Sequence, residues 1–274
     1  MSWFYPNRFD EKVMLLTGSS RGIGKSVAYR AAKEGAKLVL VDKIKDEGEI
    51  VLKEILDSGG DAIFLDLDLS KEESSKIMVE KAIEKYGKLD IAINNAGVMG
   101  KPRPVHELPK ENMDFTMMNN FYSVFFSCKY EINQFINQGN GGVILNNASI
   151  AGLTGLPGNP AYVASKHAVT GLTKNLALDY AKYGIRINTV NPSGTTTPMV
   201  EEALEYVKKS MKEAMEAGIS PEKIQTMAGQ KQKNMMEREF TPEEQAAVIL
   251  FMVSEESSCM TGALVQTDGG WTSF

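Results

Sequence analysis

Short apolar runs alternate with longer amphipathic stretches along almost the whole chain, and few folds accommodate that order. Strand-like segments, most of them rich in apolar residues, fall at residues 13–16, 37–41, 62–65, 90–93, 143–146, 185–190 and 264–266. Helical patterns fall between them at about 24–33, 46–56, 71–86, 110–137, 160–182 and 242–253. Strands that read as continuous apolar runs are buried on both faces, so they belong to a parallel sheet covered by helices. Right-handed crossovers then predict an α/β, doubly wound parallel sheet of about seven strands. Ligands of such folds bind beyond the carboxyl ends of the strands.

The chain of 274 residues suits one such domain, and no Pro/Gly/Ser-rich linker, repeat or low-complexity tract divides it. A net charge of −5 without a dense basic cluster argues against nucleic-acid binding. No apolar stretch has the length of a membrane span, and residues 1–10 lack the pattern of a signal peptide. Cys128 and Cys259 form no disulfide framework. His106 and His167 lie far apart without a carboxylate motif, so no metal site is expected. The expectation is a cytoplasmic protein.

The turn after the first strand reads Thr17-Gly18-Ser19-Ser20-Arg21-Gly22-Ile23-Gly24. Gly18 suits a tight turn of positive φ, and Gly22 and Gly24 clear side chains where backbone would approach a pyrophosphate. The helix that follows offers free N–H groups and a positive dipole end. Asp42 ends the second strand, where a carboxylate accepts hydrogen bonds from ribose hydroxyls and repels a 2′-phosphate. NAD is therefore expected over NADP, although Arg21 and Lys43 leave a phosphate neutralisable.

Tyr162 and Lys166 lie four residues apart on one helix face. A phenol ionises near pH 10, and an adjacent ammonium lowers that value towards the range of a general base. Ser149 stands thirteen residues before Tyr162, after the fifth strand, where its hydroxyl would donate to a substrate oxygen. A structural reading of each remains open: an exposed lysine on an amphipathic helix, and a serine that caps a turn.

At this point the chain resembles the short-chain dehydrogenase/reductase family, in its shorter single-domain branch, from about residue 9 to 271. The resemblance rests on the glycine turn, on Asn94-Asn95-Ala96-Gly97 after strand four, on Ser149, Tyr162 and Lys166, and on Asn120 in the long helix. It implies a secondary alcohol or ketone as substrate, hydride exchange with a nicotinamide, and a homotetramer or homodimer. It also implies roles: Asn120 in a proton relay with Lys166, Asp68 and its neighbour Leu69 at the adenine, and Asn95, Ala96 and Gly97 along the adenosine. Gly18, Ser20, Arg21, Gly22, Ile23 and Gly24 would hold the pyrophosphate, and Pro192, Thr195 and Thr197 the nicotinamide. The family's Pro-Gly after strand six is Pro192-Ser193-Gly194 here, which puts the local backbone in question.

Residues 199–238, rich in Met, read as a helical lid over a bulky apolar substrate, hydroxysteroid-like or alicyclic. Core or interface packing of the same methionines is an equal reading. A non-catalytic nucleotide sensor and an NADPH-dependent 3-oxoacyl reductase are the competing functions, disfavoured by the intact Ser-Tyr-Lys-Asn set and by Asp42 respectively.

Overall fold

Seven strands pair in parallel in the order β3-β2-β1-β4-β5-β6-β7. They are β1 (Val13–Thr17), β2 (Lys37–Asp42), β3 (Asp61–Asp66), β4 (Ile91–Asn94), β5 (Gly142–Asn147), β6 (Ile185–Pro192) and β7 (Leu264–Thr267). The computed structural model describes residues 5–216 and 234–273. Strand order reverses between β1 and β4, the topological switch point at which such sheets bind ligands. Register places Leu15 beside Val39 and Ala92, and the central strands β1 and β4 are buried throughout.

The helices are α1 (Gly22–Lys33), α2 (Lys45–Asp57), α3 (Glu72–Tyr86), α4 (Lys110–Met117), α5 (Ser123–Gln138), α6 (Pro160–Tyr180), α7 (Pro198–Glu216) and α8 (Pro242–Val253). One apolar core joins Val27, Ala31, Leu38, Leu40 and Ile249. A second, across the sheet, joins Leu15, Val39, Val124, Phe135, Ile144 and Val169. Among the described residues no helix is long and apolar enough to cross a membrane.

The stretch expected as one helix over 110–137 is interrupted. Met118–Tyr122 forms a π turn between α4 and α5. The Ser123 N–H reaches back to the Met118 carbonyl, and the Ser123 hydroxyl donates to the Asn119 carbonyl at 2.7 Å. Hydrophobic periodicity does not register such a turn, because the face it buries is continuous across it. Strand β6 runs to Pro192, two residues beyond the expected end, because its pairing with β7 continues to Thr267.

Candidate active site

The glycine turn lies at the switch point. Gly18 has φ +65°, and a Cβ there would stand 2.8 Å from the Ala96 Cα. A side chain on Gly24 would collide with the Gly18 carbonyl, so that glycine is required by the turn's own packing. A Cβ on Gly22 would meet Thr197 at 3.2 Å, at the start of α7. Packing within the protein thus already requires a residue without a side chain at Gly24 and leaves little room for one at Gly22. No side chain caps α1, so its first N–H groups are left for an external acceptor. Ile23, the second residue of α1, packs against the core.

Asn95 staples the turn to β4. Its Nδ2 donates to the Thr17 and Gly18 carbonyls at 3.1 and 3.0 Å, and its Oδ1 accepts from Asn147 Nδ2 at 2.7 Å. The backbone N–H groups of Asn95 and Ala96 both donate to Thr17 Oγ1. Asp42 accepts from the N–H of Ser20 at 3.0 Å and of Ile44 at 3.1 Å, which fixes its carboxylate at the end of β2. Asp68 accepts from the Ser70 N–H. Burial raises its pKa, but hydrogen bonds from Ser70 and the charges of Lys43 and Lys71 outweigh that and hold it below the usual value. Leu69 is buried in the second core.

The expected catalytic residues converge at the carboxyl ends of β4 and β5. Ser149, just after β5, accepts from the Ala151 N–H at 3.1 Å through its Oγ. That bond leaves the hydroxyl hydrogen for the Tyr162 phenol, beside which it lies. Lys166 Nζ donates to the Asn147 carbonyl at 3.0 Å and stands 5.7 Å from the centre of the Tyr162 ring. Asn120, in the π turn, clasps Val98: its Oδ1 accepts from the Val98 N–H at 2.7 Å, and its Nδ2 donates to the Val98 carbonyl at 2.9 Å. A Cβ on Gly97 would lie 3.1 Å from Asn120 Oδ1 and 3.6 Å from Lys166 Nζ, so that glycine keeps the space between them open.

Electrostatics in this chain differ from the sequence expectation. Burial, rather than the ammonium, dominates at Tyr162 and pushes the phenol above its ordinary value, while a hydrogen bond from Ser149 opposes the rise. Burial also pulls Lys166 down to about 8. Both groups are more than nine-tenths shielded, and desolvation disfavours the charged form of each.

The departure at Ser193 proves local. Gly194, with φ +40°, takes the strained conformation, and Ser193 Oγ donates to the Asp268 carbonyl at 3.1 Å. Thr195 Oγ1 donates to the Ser193 carbonyl, and Thr197 Oγ1 lies under the Val200 N–H at the start of α7. Pro192, Thr195 and Thr197 therefore follow one another from the end of β6 towards α1. Within the stretch expected as a lid, α7 exposes Leu204 and Met215, and Met235 and Met236 are exposed beyond it. Met227 lies outside the described residues.

Several contacts had no signal in the sequence. Ser165 Oγ accepts from Asn120 Nδ2 at 3.0 Å and donates to the Tyr162 carbonyl at 2.8 Å, tying the π turn to α6. Glu131 is fully buried on α5, accepts from Asn94 Nδ2 at 3.0 Å, and is pushed up to about 8 by burial. Asn94 Nδ2 also meets Asn146 Oδ1, and Asn146 Nδ2 donates to Thr173 Oγ1. Asn94 stands in the Asn-Asn-Ala-Gly segment and Ser165 beside Lys166, but nothing in the sequence pairs them with Glu131, Asn146 or Asn120.

The model of the family described as short chain dehydrogenase matches residues 12–208. A 3beta-hydroxysteroid dehydrogenase of Mediterraneibacter gnavus is 42% identical over 99% of this chain and 98% of its own. A cyclohexanol dehydrogenase of an Acinetobacter species is 38% identical over 97% of each chain. The crystal structure of levodione reductase superposes with a TM-score of 0.85 at 33% identity, covering 97% of this chain and 99% of that one. With the glycine turn, the Asn-Asn-Ala-Gly segment and the Ser-Tyr-Lys-Asn cluster all in place, this chain belongs to the short-chain dehydrogenase family and is an oxidoreductase.

Proposed function

We propose that this chain is an NAD-dependent dehydrogenase of bulky, apolar secondary alcohols, hydroxysteroid-like or alicyclic, and of the corresponding ketones. The observation that carries the reading is the meeting of Ser149, Tyr162, Lys166 and Asn120 beside the glycine turn, at the carboxyl end of the sheet. The residues present fit a dinucleotide. The uncapped start of α1 suits a pyrophosphate, and Asp42 suits a ribose diol. Gly18, Ser20, Arg21, Gly22, Ile23 and Gly24 would hold the phosphates. Asp68, Leu69, Asn95, Ala96 and Gly97 would line the adenosine, and Pro192, Thr195 and Thr197 the nicotinamide. When bound, the nicotinamide supplies the hydride acceptor and a positive charge near the phenol.

Tyr162 takes the carbinol proton in oxidation and returns it in reduction. Ser149 donates to the reacting oxygen, and its bond with the Ala151 N–H fixes the direction of that donation. Lys166, held by the Asn147 carbonyl, favours the phenolate electrostatically when it is an ammonium. Asn120 holds the Val98 loop and the π turn in place and serves the proton relay from Lys166.

The bulk and apolar character of the substrate rest on the exposed leucine and methionines of residues 199–238 and on the named substrates of the relatives. α7 would close over that substrate as part of a lid. A second copy of the chain would cover the apolar stripe of Phe115, Met118, Tyr122 and Phe125, all of them exposed, giving a homodimer or homotetramer. The test is NADH formation against hydroxysteroids, cyclic alcohols and small diols, run with NAD and NADP in parallel. Turnover of a bulky alicyclic alcohol with NAD is the expected result. Turnover of small diols alone, or with NADP alone, would overturn the reading.

A further inference from the structure

Asp42 is not the only carboxylate at the adenosine end of the cradle. Arg21, next in sequence to the Ser20 whose N–H binds Asp42, points its guanidinium at two more. Its Nη1 meets Glu202 Oε1 at 2.8 Å, and its Nε lies 3.5 Å from Glu47 Oε2. Glu47 stands in the first turn of α2, and Glu202 near the start of α7. Lys43, the other cation beside Asp42, donates to the neutral amide of Asn119 at 3.3 Å. A 2′-phosphate at this end would meet the Asp42 carboxylate and an arginine already shared by two acids.

We propose that Glu202, acting with Glu47, is a determinant of cofactor choice: it holds Arg21 from a 2′-phosphate and adds a repulsive charge of its own. The inference rests on the NAD reading above and deepens it. Selectivity of this kind comes as much from building repulsion against the wrong ligand as from attraction to the right one. Its source is unusual in position, because Glu202 belongs to α7 rather than to the dinucleotide half of the sheet. The same helix touches the cradle a second time, where Thr197 packs on Gly22. Choice of nucleotide and placement of α7 are therefore linked through one ion pair.

The three side chains are partly solvated, at 34% for Arg21, 48% for Glu47 and 66% for Glu202. The effect is accordingly moderate and weakened by salt. Dissociation constants of NADH and NADPH, read by nucleotide fluorescence, test it on the wild type, Glu202→Gln, Glu47→Gln and the double variant. The double variant is expected to bind NADPH about tenfold more tightly, with NADH changed by less than about twofold. Arg21→Ala in that background is expected to abolish the gain, and raised salt to shrink it. An NADPH constant that stays put, or that tightens equally with that of NADH, overturns the proposal. The wild-type ratio tests the NAD reading separately. A wild type that prefers NADPH sinks that reading, while the change in ratio between variants still decides the part of Glu202.

Discussion

At the residue scale the site is a set of polar groups whose chemistry is fixed by burial. Tyr162 sits above its ordinary pKa because its phenolate is poorly solvated, so the protonated form prevails near neutrality. Ketone reduction, which needs the proton, is expected to be favoured at neutral pH, and alcohol oxidation to accelerate as pH rises. Profiles of kcat/KM in the two directions check this; an oxidation rate that falls steadily from pH 6 to 9 would count against Tyr162 as the base. Tyr162→Phe keeps the ring and removes the acid. It is expected to lower turnover by at least about a hundredfold while leaving the dissociation constant of NADH within about threefold, as measured by steady-state assay and fluorescence titration. Glu131 is a different kind of group. Its folded pKa of about 8 lies above the ordinary 4.5, so the folded chain holds a proton that the unfolded chain has released. Stability therefore falls as pH rises through that window and levels off above the folded value. Glu131→Gln keeps an acceptor for Asn94 Nδ2 and removes the titration. Its melting temperature relative to wild type is expected to climb between pH 5 and pH 8 by roughly 3 °C or more. A difference constant across that range would mean that Glu131 does not titrate there.

At the scale of elements, the fold was legible because its signals are local and repeated. Most strands are short stretches rich in Val, Ile and Leu, and Gly, Asn or Asp stands close to most of their ends. Gly18 and Asp42 read correctly as turn and strand end because chain direction alone sets those positions. Tyr162 and Lys166 were legible through their spacing and Ser149 through its place after a strand, whereas Asn120 entered only through the resemblance, and only the folded sheet brings the four together. The π turn was not legible. It changes the hydrogen bonding of Met118–Tyr122, yet buried Thr116, Asn120 and Val124 keep a spacing of four that an unbroken helix also shows, and periodicity reports only that spacing. The Asn94–Glu131–Asn146 cluster was hidden for a related reason: its members come from β4, α5 and β5, and the Asn-Asn-Ala-Gly segment that holds Asn94 gives no sign of Glu131 or Asn146. One element boundary gives a direct check on local encoding. Thr241 caps α8 through a capping box, its hydroxyl accepting from the Glu244 N–H at 3.3 Å while Glu244 accepts from the Thr241 N–H at 2.9 Å. Thr241→Ala breaks half of that exchange and is expected to cost about 1 kcal/mol, read as a lowered denaturant midpoint with an unchanged slope.

At the scale of the whole molecule, the helices that position the site also carry a run of exposed large apolar side chains. Asn120 points inward from the π turn, while Met118 and Tyr122 on either side of it point out. Phe115, Met118, Tyr122 and Phe125 are spaced by three, four and three residues, which places them on one face of the joined α4–α5. Phe126 extends the stripe, with ring centres 5.7 Å from Phe125 and 6.0 Å from Tyr122. An aromatic surface of this kind is costly in water, and a two-fold contact with the same face of another copy would bury it twice over. The consequence reaches the chemistry, since the turn that clasps Val98 would be braced from outside by the partner. Phe125→Glu places a charge in the middle of the stripe, where burial against a second copy would leave it unpaired. Light scattering is expected to show the variant at half the mass of the wild type or less, with the far-UV spectrum retained. Turnover per chain is expected to fall in the separated form, because Asn120 stands in the π turn beneath the stripe. An unchanged mass would show that this face is not where copies meet; a smaller species with full turnover would show that Asn120 needs no bracing from a partner.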